Sequence, residues 1–172
     1  MTTTVRFVQG AEFASELIVL QEKTAMPFTP SHVEILSKDG KSYFGSMLDG
    51  GVQYRPVGYD NGKLAIDPNT HKARELLLQL PTTPEQENAS WAWADKHIGE
   101  LYDSPAIFGF VIPIHEHKVD HVICSACVTL FLRVEPPSPA KAFFPYPLAA
   151  PAHLIDPRDL LLGFSMTVHV PM

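Results

Sequence analysis

Cysteine is nearly absent: Cys124 and Cys127 are the only two, so no disulfide framework can organise the chain. A zinc finger is likewise excluded unless histidines complete it. No stripe of lysine and arginine occurs, and the formal net charge is −6, so nucleic acid is not an expected partner. No apolar run approaches the roughly 20 residues that cross a bilayer, and no transmembrane segment is expected. The N-terminal Met1-Thr2-Thr3-Thr4-Val5-Arg6 has no basic region leading into an apolar one. A signal peptide is therefore not expected, and the protein is read as cytoplasmic as made. Internal repeats, heptads and low-complexity tracts are missing too. What remains is 172 residues, 45% hydrophobic and 19% charged, an ordinary globular composition. Such a chain suits one domain over 1–172 that buries a core without help from metals or disulfides.

Val5 to Val8 alternates as a short strand, and Glu12 to Gln21 sets Phe13, Leu17 and Leu20 at helical spacing. Pro27-Phe28-Thr29-Pro30 reads as a turn. A hairpin follows: His32 to Leu36, a turn at Lys38-Asp39-Gly40-Lys41, and a return over Ser42 to Met47. Asp49-Gly50-Gly51 turns into Val52 to Arg55, and the apolar run Glu75 to Leu80 fits strand or helix, with strand favoured because Pro81 stops it.

Thr83-Pro84-Glu85-Gln86 is a helix-start signature, and the helix should run to about Ile98 with Gly99 as its cap. Ser104-Pro105 opens a second helix to roughly Val111, and Cys124 to Val134 reads as a buried helix. Residues 136 to 152 are proline-rich and expected to form a long ordered loop, and Asp156-Pro157 starts a last helix. Strands and helices without regular βαβ alternation give the class α+β.

Chemistry concentrates at three places. A cysteine in the first turn of an apolar helix, as Cys124 would be, has its thiolate stabilised by unpaired N–H groups. The same groups can hold the oxyanion of a tetrahedral intermediate. Against this stands the plain alternative that Cys124 and Cys127 are small core residues. The Cys-x-x-Cys spacing also fits a thioredoxin-type redox pair, but the βαβ frame that motif needs is missing. On a strand, His32 and Glu34 share one face, where a carboxylate beside imidazole fixes its tautomer and raises its basicity, the plain alternative being a half-exposed polar strand face. His115, His117 and His121 form the rival site, since His-x-His on a strand presents two rings to one metal. A solvated loop is the alternative there, and no bound metal is expected. Trp91 and Trp93 are read as packing residues on the first long helix.

The order of several short motifs resembles a known family. These are Ser-His-Val-Glu-Ile at 31–35, Phe44-Gly45, Asp49-Gly50-Gly51-Val52, Gly99-Glu100-Leu101-Tyr102-Asp103, and Ile123-Cys124-Ser125 opening a helix. Together, over roughly residues 5 to 165, they resemble the circularly permuted branch of the NlpC-type, papain-like cysteine hydrolases. There the histidine strand precedes the cysteine helix. The resemblance implies a papain-like fold with the Cys124 helix packed on a small antiparallel sheet carrying His32. It implies that Cys124 attacks an amide or ester carbonyl while His32 takes and returns the proton. Related enzymes place a polar third residue on the strand after the histidine, where this chain has Phe44, Gly45, Ser46 and Met47. Glu34 is favoured as the orienting group, with Ser46 and Asp49 as alternatives. Tyr102 and Ser125 are the expected substrate-binding residues.

The expected function is therefore cleavage of an amide bond, with a peptide or peptidoglycan fragment as substrate and no cofactor. Delivery to the cell wall would then need a phage or secretion apparatus. The alternatives are a non-catalytic binding or assembly module that kept the fold, and a hydrolase of lipid-type acyl esters and amides.

Overall fold

The computed structural model describes residues 2–11, 28–102, 122–134, 155 and 157–167. The expected helix at 12–21, the helix from Ser104 and the proline-rich loop lie outside the described residues.

Five strands build one antiparallel sheet: β1 (Thr2–Val8), β2 (His32–Leu36), β3 (Ser42–Met47), β4 (Gly51–Pro56) and β5 (Glu75–Pro81), in the order β4-β3-β2-β1-β5. Alternation along the strands decides which side chains face the core. Val5 and Phe7 on β1, Val33 and Ile35 on β2, Phe44 on β3, Val52 on β4, and Leu78 and Leu80 on β5 are all buried in one apolar cluster. The register is continuous with that pattern, for Val5 pairs with Ile35 on one side and Leu78 on the other. Glu75 to Leu80 is thus a strand, as its β-type ending at proline suggests; Pro81 closes it opposite Thr2.

Three helices are described: α1 (Pro84–His97), α2 (Cys124–Arg133) and α3 (Pro157–Thr167). Thr83 caps α1 by the full capping box: its Oγ1 accepts from Gln86 N–H, and Gln86 Oε1 accepts from Thr83 N–H at 2.9 Å. The helix ends one residue earlier than the sequence suggests, with Ile98 as cap and Gly99 at φ 89°. Similarly α2 stops at Arg133, with Val134 as its cap. α2 packs on β2 and β3, α1 and α3 both pack on α2, and Phe164 of α3 meets Phe7 edge-on with centroids 6.0 Å apart. Trp91 and Trp93 pack as the sequence implies. Phe44 lies at the centre of that cluster, touching both tryptophans, Tyr54 and Phe131.

One glycine is required by a close approach. A Cβ on Gly51 would lie 1.9 Å from the Glu100 carbonyl oxygen, and its φ is 66°. Without that side chain, 99–101 lies along the edge of β4, where Val52 N–H donates to Glu100 O and Gly99 N–H donates to Val52 O, both at 2.8 Å. This strap carries the chain from α1 towards the start of α2. No helix among the described residues is long and apolar enough to cross a membrane.

Candidate active site

Cys124 is the first residue of α2, following the cap Ile123, and no side chain caps that helix start. Its first N–H groups therefore lack a capping acceptor and favour negative charge at the first turn. The segment leading to Cys124 is pinned from the sheet and the strap. Ser46 on β3 donates its hydroxyl to the Val122 carbonyl, and Val122 N–H donates to Leu101 O at 3.0 Å. Tyr102 packs with Ile123 and Ala126 on the same helix start.

His32 stands at the first position of β2, and its ring lies close enough to the Cys124 side chain to be held by its charge. On the other side, Nε2 lies 3.7 Å from Glu34 Oε2. That is an ion-pair separation rather than a hydrogen bond, and Nε2 has no hydrogen-bond partner. Burial alone would lower the imidazole pKa. The charge of Cys124, with Glu34 behind, outweighs burial and raises it to about 10. Glu34 responds in the opposite sense: burial would raise its pKa, but His32 and Arg6 hold it below the usual carboxylate value. Cys127, one turn further along, is kept a neutral thiol, first by burial and then by the charges of Cys124 and Glu100. Both cysteines are free, and the antiparallel sheet lacks the parallel βαβ frame of a thioredoxin-type pair.

Glu34 is itself gripped on both oxygens. Arg6 Nη1 donates to Oε1 at 2.6 Å, and the Tyr59 hydroxyl donates to Oε2 at 3.1 Å. Arg6 reaches Asp60 at 2.9 Å and Glu75 at 3.0 Å, and lies 4.5 Å above the Tyr43 ring. Gly45 permits the close approach of β3, since a Cβ there would sit 3.2 Å from Glu34 Cβ. Glu34 and Asp60 are both buried carboxylates against the one buried cation Arg6, so a protonated His32 offsets part of the negative charge of the cluster. A buried carboxylate without such partners would not remain ionised.

The structure brings Cys124, His32 and Glu34 together. Ser46 stands nearby, but its hydroxyl is committed to the Val122 carbonyl, so it positions the nucleophile segment rather than the imidazole. Asp49 lies exposed in the turn after β3, where its carbonyl accepts from Gln53 and Arg55. Ser125 is fully buried and its hydroxyl makes no hydrogen bond among the described residues. Asp103, His115, His117 and His121 lie outside the described residues. Among the described residues, no group of three His, Cys, Asp or Glu could hold a metal.

Arg6, Tyr59 and Asp60 were not singled out by the sequence. The only local signal was an arginine set between the core-type residues Val5 and Phe7. Neither the known family models nor the curated proteins give a match to this chain.

Proposed function

We propose that this protein is a cysteine hydrolase of the permuted NlpC-type, papain-like kind, with Cys124 as nucleophile, His32 as base and Glu34 as the orienting carboxylate. The observation that carries it is the placing of His32 beside Cys124 with Glu34 3.7 Å behind the ring, the carboxylate fixed in turn by Arg6 and Tyr59. The order in sequence, histidine strand before cysteine helix, and the packing of α2 on β2 and β3 support the fold reading.

In this mechanism the His32–Cys124 pair holds one proton between them, and the thiolate form attacks the carbonyl carbon of an amide. The oxyanion faces the uncapped N–H groups of the first turn of α2. Collapse of the tetrahedral intermediate breaks the C–N bond, and the imidazolium gives its proton to the departing amine. Water, deprotonated by His32, then attacks the thioester; the acid leaves and Cys124 returns. Glu34 stays ionised throughout, stabilising the imidazolium and holding the ring plane. A stem-peptide amide of peptidoglycan is the proposed substrate, reached through a phage or secretion apparatus.

Cleavage of purified muropeptides by wild type and Cys124→Ala tests the proposal. The expected result is turnover by wild type and none by the variant; equal activity in both removes it. One observation favours a non-catalytic module instead: Cys124 is only 3% exposed. Iodoacetamide at neutral pH separates the two, because a reactive centre is alkylated at Cys124 well before Cys127, whereas a packing residue is not.

A further inference from the structure

A cavity of about 370 Å³ opens against His32, and Cys124 is not part of its wall. Its size lies in the range that holds small organic ligands. Val8, Met47, Leu48 and Leu64 supply an apolar lining, and Leu48 is 61% exposed at the rim. Arg55 and Tyr59 line it as well. We propose that this cavity binds a small carboxylate with an apolar body, the carboxylate resting on Arg55 and the body along the Val8–Leu64 lining beside His32.

Arg55 carries the inference. Its guanidinium lies 5.2 Å from the centre of the Tyr59 ring, and one terminal nitrogen donates to the Asp49 carbonyl. Its Nε is buried and has no hydrogen-bond partner among the described residues. No carboxylate pairs with it among the described residues, although Arg6, Arg74 and Arg158 each have one. An arginine that lines a concavity and has no carboxylate partner among the described residues is suited to a planar carboxylate. The platform beneath it is fixed, since Tyr59 is tied through its hydroxyl to Glu34.

The other charges of the wall are mixed, with His32 and Lys63 on one side and Asp49 and Asp60 on the other. Lys63 adds a cation, Asp60 is paired with Arg6 at 2.9 Å, and Asp49 is exposed at the rim. Two carboxylates in the lining oppose a phosphate dianion more than a monoanion. This deepens the proposed hydrolase, because a ligand seated there lies against the base. Binding itself requires no turnover.

Titration of the full chain with octanoate and with octanol, followed by calorimetry, tests the site. Octanoate should bind wild type saturably, and at least tenfold more weakly to Arg55→Met; octanol should bind both alike. Leu64→Trp, which fills the apolar end, should weaken both ligands. Absence of saturable octanoate binding to wild type overturns the proposal, as does unchanged affinity in Arg55→Met. Should Arg55→Met fail to fold, unchanged octanoate affinity in Leu64→Trp overturns it equally. Alkylation of wild-type Cys124 is measured in parallel. An inert Cys124 with intact octanoate binding sinks the hydrolase and leaves the carboxylate site standing.

Discussion

Glu34 has two oxygens and three partners, which makes it the residue whose chemistry can be isolated most cleanly. Arg6 holds Oε1, while Tyr59 and His32 share Oε2. Glu34→Gln keeps the shape and removes the charge. His32 then loses a carboxylate that helps raise its pKa, so its NMR titration should move down from about 10. If the series is catalytic, kcat/KM should fall roughly 10²- to 10⁴-fold. Titration of the His32 ring and a kinetic assay read these two effects separately. An unmoved titration would mean that Glu34 does not act on the ring. The presence of His32 and Glu34 on one face was legible from their spacing of two. The grip of Arg6 and Tyr59 was not, because those partners come from β1 and from the turn after β4.

At the scale of elements, local signals were strong where backbone chemistry is local. The Thr83 capping box, the Asp39-Gly40 turn and the apolar alternation of β2 each depend on residues a few positions apart, and each appears in the structure. Ends were less well placed: α1 stops at His97 and α2 at Arg133, since a last turn depends on what the chain meets next. Sheet order depends on long-range pairing, and β5 joining β1 rather than β4 had no local sign. The aromatic cluster joins these elements. Phe44 meets Tyr54 from β4, Trp91 and Trp93 from α1, and Phe131 from α2. Phe44→Ala should therefore cost about 3–5 kcal/mol, measured by chemical denaturation. A loss below about 1 kcal/mol would show that the cluster closes over the gap.

For the whole molecule, the buried charges couple stability to pH with a predictable sign. His32 has a folded pKa near 10, above its ordinary 6.5. Its stabilising contribution is complete below about pH 6.5 and is lost as pH rises towards 10. Glu34 is shifted down from its ordinary 4.5, so its contribution is complete above that pH and is lost on further acidification. Denaturation midpoints across pH should fall on both sides. The alkaline limb should flatten in His32→Gln and the acid limb in Glu34→Gln. An alkaline limb of unchanged steepness in His32→Gln would refute the coupling.

By itself the sequence determined the class, the hairpin that carries His32, the capped start of α1 and the helix that opens on Cys124. All of these rest on periodicity, turn residues and capping, which act over a few positions. Only the tertiary structure decided that His32 meets Cys124, that Glu34 rather than Ser46 or Asp49 faces the imidazole, and that Arg6 and Tyr59 hold the carboxylate. Those choices depend on register and on which elements pack together. Charges far apart along the chain interact only after the sheet has placed them within a few ångströms in a medium that cannot screen them.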